Sequence, residues 1–308
     1  AVTGDAHLAV AASIRVPAIN GRKTAPIDHL LEIVQVQSLE FDRRTGLGHR
    51  VLLSFRAERS NDDSVNGSRT AIVTGGAKRG GAVIAARLVA EGWTVIAHAH
   101  HASDEVPAGS LKVVAELDDP GCAETIFVAA EGRGPVSLLV NNAARFANDG
   151  FGAFNPAELD EHMAVNLRAP VLLAEALAGR HRRGGDALIV NLLDSKLAAP
   201  NPDYLSYTLS KQALAGFTEL AARAYAPLGI RVNGVAPALM LRSPGQSEAN
   251  FLAMHARNPL GRGVEPEEVA ATISYLASAR TVTGQVIVID GGQRFEPPGR
   301  DVQFLEDQ

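Results

Sequence analysis

The stretch TAIVTGGAKRGGAVIAARLVAEG, residues 70–92, decides the fold. A short apolar run enters a glycine turn, and the turn opens a helical pattern that ends at Gly92. Strand, glycine turn and helix in immediate succession suit the pyrophosphate of a dinucleotide. Glycine lets the backbone come close to the phosphates, and the helix N-terminus stabilises their charge. A glycine turn alone is weak evidence, because a tight strand–helix connection needs the same residues without any ligand. The remainder of the chain has to decide between the two.

Outward from this unit, short apolar runs alternate with helical patterns. TVIAHAH, LKVVAEL, VSLLVNNAA, DALIVNLL, IRVNGVAP and GQVIVIDGG read as strands. GCAETIFVAAEG, residues 156–180, residues 203–226 and residues 266–279 read as helices. Runs such as LLVNN and VIVID are apolar at consecutive positions, as in strands covered on both faces. This alternation predicts an α/β fold: a doubly wound parallel sheet with helices on both faces. We expect one main domain over residues 70–295, an N-terminal extension over 1–69 and a C-terminal tail over 296–308. The polar segment RSNDDSVNGSRT, residues 59–70, reads as a linker. Within the extension, LLEIVQVQSLEF and RVLLSFRAE have strand character around the turn DRRTGLGH, but no recognisable chemistry.

The 308 residues carry a formal net charge of −5, which makes no electrostatic case for nucleic acid or an acidic membrane. The single cysteine, Cys122, excludes an internal disulfide. No apolar run is long enough to span a bilayer, and HLAVAASIRVPAIN is broken by Arg15 and Pro17, so no signal peptide is expected. The expectation is a soluble cytoplasmic protein with a small-molecule substrate, and with no nucleic-acid, membrane or metal partner.

An NAD-binding fold usually places an acid at the end of its second strand, where it holds the ribose 2′-hydroxyl. Here the strand ends TVIAHAHHASDE, and no acid appears before Asp104. A 2′-phosphate would meet Lys78, Arg79, His100 and His101 instead, so the cofactor is read as NADPH. His98, His100 and His101 read equally as a strand alternating inward and outward.

Taken together, TGGAKRGG, NNAA at 141–144, Asn166 in MAVNLRAP, Tyr207-x-x-x-Lys211, RVNGVAP and TGQVIVIDGG resemble the short-chain dehydrogenase/reductase family. The matches run in order from about residue 69 to 295. Within that family the chain is most similar to the pteridine reductases and the related dihydromonapterin and dihydrofolate reductases. Three features carry this: Arg79 in the turn T-G-x-x-x-R-x-G, Phe146 in NNAARF, and Asp194 at the usual serine position. The resemblance implies cofactor contacts at Gly75, Lys78, Arg79, Gly81, His100, His101, Asn142, Ala143, Tyr207, Lys211 and Pro237. It also implies a homotetramer packed through the helices at 156–180 and 203–226.

Tyr207 and Lys211 lie one helical turn apart and share a face, so the ammonium is expected to stabilise a tyrosinate. Tyr204 has Thr208 at the same spacing, which offers no charge, and so reads as a packing residue or one lining the substrate mouth. Reducing a pterin C=N bond leaves charge on a ring nitrogen that must be protonated, and a carboxyl beside the tyrosine can supply that proton. Asp194 therefore joins Tyr207, Lys211 and Asn166 as a catalytic candidate. It reads alternatively as a turn cap, with Ser195 as a displaced serine. Phe146, Asp194 and Tyr207 are the substrate-binding candidates, with Phe146 expected to stack on a flat pterin or else to be a core residue. Arg145 faces either the substrate opening or solvent. The leading expectation is an NADPH-dependent reductase of pterins or dihydropterins. A general carbonyl or 3-oxoacyl reductase is the alternative, and a nucleotide-binding regulator with a dead site is a third reading.

Overall fold

The computed structural model describes residues 69–305 apart from Arg183 and Pro244. The strand character read in residues 1–68, most of the 59–70 linker and the last three residues of the chain lie outside the described residues.

Seven strands form one parallel sheet: β1 Thr70–Val73, β2 Thr94–Ala99, β3 Ser110–Val114, β4 Val136–Asn141, β5 Ala187–Leu192, β6 Ile230–Pro237 and β7 Val286–Ile289. Their spatial order is β3-β2-β1-β4-β5-β6-β7, so the chain winds outward from β1 in one direction and then outward from β4 in the other. Among the described residues, seven α-helices connect or flank them: α1 Arg79–Ala90, α2 Cys122–Val128, α3 Pro156–Met163, α4 Ala169–Arg180, α5 Leu205–Tyr225, α6 Glu248–His255 and α7 Pro266–Ser278.

Alternation along each strand splits the core in two. Ile72, Leu139, Ile189 and Val232 face α2, α4 and α5 in one layer. Their neighbours Ala71, Val73, Leu138, Val140, Leu188 and Val190 face α1 and α7 in the other. Both faces are buried, which is why these strands carry consecutive apolar residues. A Leu or Ile fully removed from water contributes roughly 1.5–3 kcal/mol, so the central strands anchor the fold.

The helix expected over 156–180 is three pieces. A π-turn at Ala164–Arg168 separates α3 from α4 and carries the fully buried Asn166. The helix expected to begin at 203 begins at Leu205, because Tyr204 adopts the left-handed conformation (φ 54°). Helix α6 has no counterpart in the sequence reading; it is short, and Ser247 caps it by accepting from the Asn250 amide. Among the described residues, no helix is long and apolar enough to cross a membrane.

Candidate active site

The carboxyl ends of the central strands open into a cleft of about 900 Å³. It runs from the glycine turn to Tyr207, and every predicted site residue except Asn166 lines it.

The glycine turn is shaped by close approach. Gly75 sits at φ +62°, and a Cβ on Gly81 would lie 2.1 Å from the Gly75 carbonyl oxygen. No side chain caps the N-terminus of α1, so its first turn presents bare amides to the cleft. Arg79, in place of a glycine, is held at φ 53° and donates to the carbonyl oxygens of Leu241 and Arg242 at 3.5 and 3.0 Å. The NNAA segment is tied to this turn. The Asn142 and Ala143 amides donate to Thr74 Oγ1 at 2.9 and 3.0 Å, and Asn142 Nδ2 donates to the Thr74 carbonyl at 2.9 Å.

His98 is buried beneath the turn. Its Nδ1 accepts from the Gly75 amide at 3.0 Å, so Nε2 carries the proton and donates to the Ala115 carbonyl at 3.0 Å. Burial lowers its pKa, which keeps the acceptor neutral. The HAHH run was the only sequence signal for this role, and it was equally a strand alternation.

The end of β2 departs from expectation. Asp104, the first acid after the strand, is buried at the cleft wall and pairs with Lys78 Nζ at 2.5 Å. The turn after β2 folds back to bring it there: the His101 amide donates to Asp104 Oδ2 at 3.2 Å. His100 likewise pairs with Glu116 at 2.7 Å. Two of the four groups assigned to a 2′-phosphate therefore already have carboxylate partners.

Tyr207 and Lys211 lie on the buried face of α5 as their spacing requires. The Tyr207 hydroxyl donates to Asp194 Oδ2 at 2.9 Å, and Asp194 Oδ1 accepts from the Lys196 amide at 2.8 Å. The two readings of Asp194, turn cap and partner of the tyrosine, hold at once, one on each oxygen. Burial raises the Asp194 pKa against the pull of these hydrogen bonds and nearby lysines.

The expected depression of the Tyr207 pKa is overturned. Burial and the adjacent Asp194 carboxylate push it well above 10. Lys211 does not counter this: its Nζ donates to the Leu192 carbonyl at 2.6 Å and stands 5.8 Å from the tyrosine ring centre. Burial lowers Lys211 itself to about 8.

Asn166 works behind the cleft. Its Oδ1 accepts from the Arg145 amide at 2.7 Å, and its Nδ2 donates to the Arg145 carbonyl and to Ser210 Oγ at 3.0 and 2.9 Å. The π-turn thus locks the segment that carries Phe146. The Arg145 side chain turns to Glu158 and Glu161, at 2.9 and 2.8 Å. Phe146 is partly exposed in the cleft rather than in the core; it stacks on Tyr204 with ring centres 4.3 Å apart and meets the edge of Tyr207 at 4.8 Å.

Sequence reasoning missed Lys196 and the C-terminal segment. Pro297, Pro298, Asp301 and Val302 line the same cleft, although nothing in their spacing links them to it. Lys196 Nζ donates to the Asp203 carbonyl at 2.5 Å and stands 3.8 Å from Asp301 Oδ2.

Residues 75–294 match the family model described as enoyl-(acyl carrier protein) reductase. The chain is 32% identical to pteridine reductase 1 of Leishmania tarentolae, over 72% of this chain and 95% of that protein. It is 29% identical to the 3-oxoacyl-[acyl-carrier-protein] reductase FabG of Staphylococcus epidermidis, over 73% and 98%. Among solved structures it is similar to the FolM alternative dihydrofolate reductase 1 of Brucella suis in complex with NADP. That pair has a TM-score of 0.68 and 35% identity, over 74% of this chain and 95% of the other.

Proposed function

The chain belongs to the short-chain dehydrogenase/reductase family of oxidoreductases, and from that premise we propose that it is an NADPH-dependent reductase of pterins or dihydropterins. The observation that carries the reading is the hydrogen bond from Tyr207 to Asp194 beside the cleft-facing ring of Phe146. The resemblance to a pteridine reductase and to an NADP-bound dihydrofolate reductase supports it.

The residues present fit a dinucleotide. A Cβ on Gly81 would collide with the Gly75 carbonyl, so the turn stays tight against the start of α1, whose N-terminus carries no side-chain cap and is free to hold a pyrophosphate. In this reading Gly75, Gly81, Asn142, Ala143 and Pro237 bound the cofactor, Arg79 meets a 2′-phosphate, and Lys78 reaches it by leaving Asp104. Bound NADPH supplies a hydride to the ring carbon of the C=N bond.

The chain supplies the proton. With Asp194 protonated, its carboxyl donates to the Tyr207 oxygen, and the hydroxyl hydrogen turns to the ring nitrogen. As charge builds on that nitrogen, Tyr207 passes on its proton and takes the one from Asp194. Asp194 ends as the carboxylate and regains a proton from solvent. Tyr207 is never left as a free tyrosinate in this sequence, because the Asp194 carboxyl, and not the Lys211 ammonium, is its direct partner. Phe146 holds the flat ring in line for transfer. We also propose a homotetramer: Leu209 and Leu220 stand exposed on α5, an apolar face suited to a second copy.

The FabG relative favours the second reading, reduction of a carbonyl or 3-oxoacyl thioester. Steady-state NADPH oxidation against oxidised pterins, dihydropterins and an acetoacetyl thioester decides between them. Turnover of the thioester without any pterin would overturn the first reading.

A further inference from the structure

We propose that Asp301 is a specificity-determining residue: it accepts a hydrogen bond from a hydroxyl or amino group on the part of the substrate that extends beyond the reacting ring. The assignment rests on the pterin reading above and narrows it to pterins whose substituent carries a donor.

The segment that delivers Asp301 is held by several independent contacts. The Asp203 carboxylate accepts from Arg300 Nε at 2.8 and 3.0 Å and from the Asp301 amide at 2.7 Å. The Tyr204 hydroxyl donates to Gln303 Oε1 at 2.5 Å, and Phe304 stacks on the Tyr204 ring at 5.7 Å. Asn250 Nδ2, from α6, donates to the Leu305 carbonyl at 2.8 Å. The wall is thus bound to the residues just before the Tyr207 helix, so a group on it keeps a set position relative to the reacting centre.

The two oxygens of Asp301 differ. Oδ1 accepts from the Gln303 amide at 3.1 Å, which fixes the rotamer. Oδ2 has Lys196 Nζ at 3.8 Å, an ion-pair distance too long for a hydrogen bond, while that ammonium donates to the Asp203 carbonyl. Oδ2 therefore keeps acceptor capacity on a residue that lines the cleft, beside a cation that offsets part of the burial that raises the Asp301 pKa. Asp194 and Tyr207 serve the ring nitrogen. A carboxylate on the adjoining segment meets what projects from the ring, welcoming a hydroxyl or amino group and opposing a carboxylate.

The test compares a 6-hydroxyalkyl dihydropterin with the 6-methyl compound. The intact chain should prefer the hydroxyalkyl compound in kcat/KM by about tenfold to a hundredfold, the range of a hydrogen bond to a charged group. The preference should lie in KM. Asp301→Asn keeps the oxygen that caps Gln303 and turns an amide donor toward the cleft. It should bring the preference close to unity through a rise in KM for the hydroxyalkyl compound, as should Asp301→Ala. A merely structural role would lower both substrates together and leave their ratio intact, and that result overturns the proposal, as does an intact chain without preference. If the chain reduces neither pterin, the pterin reading fails by itself. The ratio is then measured on a ketone with and without a hydroxyl group, and its persistence in Asp301→Asn removes the assignment to Asp301.

Discussion

The hydroxyl of Tyr207 and the carboxylate of Asp194 share a 2.9 Å hydrogen bond, while the only cation on the same helix face, Lys211, points its ammonium at a backbone carbonyl. Proton supply should therefore depend on Asp194. Asp194→Ser should lower pterin turnover by about 10²–10⁴-fold, the range of a lost general acid, with the NADPH dissociation constant unchanged. Burial raises the Asp194 pKa, so the protonated donor persists upward in pH and is lost as pH climbs through that raised value. Turnover should fall on the alkaline side, and this limb should vanish in the serine variant. An unmodified rate in Asp194→Ser would leave the carboxylate as a turn residue alone.

Phe146→Ala should raise the KM for pterin with little change in kcat, since ring stacking holds ground and transition states alike. A ketone without a flat ring should not register the change. Steady-state kinetics on the two substrate classes checks this.

Cofactor choice should respond to two residues in opposite directions. Arg79→Ala should weaken NADPH more than NADH, because it removes a guanidinium from the cleft mouth. Asp104→Asn releases Lys78 from its 2.5 Å ion pair and should strengthen NADPH relative to NADH. Fluorescence titration of each cofactor gives both ratios, and equal affinity of the intact protein for the two cofactors would refute the NADPH preference.

A chain beginning near Gly67 should fold and turn over, because every residue assigned to the cleft lies after Ser68. Circular dichroism and NADPH oxidation check this together. A folded but inactive truncation would assign the N-terminal residues to the site or its assembly.

Lys211 should leave a mark on stability. Burial lowers its pKa from 10.5 to about 8. Between those values the unfolded chain holds a proton that the folded chain lacks, so stability rises with pH across the window. The burial penalty is fully present below about pH 8. Denaturation of the parent and of Lys211→Met at pH 7.5, 9 and 10 should show the parent gaining on the variant, and parallel curves would refute it.

The local chemistry was legible in the sequence because it is periodic or contiguous. Consecutive apolar residues in LLVNN identified a strand covered on both faces, whereas VIVID, read the same way, forms the edge strand β7, with Val286 exposed and the rest of the strand half-buried. Glycines at 75 and 81 marked a backbone approach that leaves no room for a Cβ. The four-residue spacing of Tyr207 and Lys211 placed them on one helix face. These features depend on neighbours a few residues away, and sequence displays such neighbours directly.

Only the tertiary structure decided which groups meet across long separations. Asp194 lies on the loop after β5 and Tyr207 on α5; packing brought them within 2.9 Å while leaving Lys211 without contact to the tyrosine oxygen. Asp104 reached Lys78 through the fold of the turn after β2. The C-terminal segment returned to Asp203, nearly a hundred residues earlier, and put Asp301 in the cleft wall. No periodicity records such pairings, because they arise from the closure of long loops, whose entropy is offset by contacts that exist only once the sheet and its helices are packed.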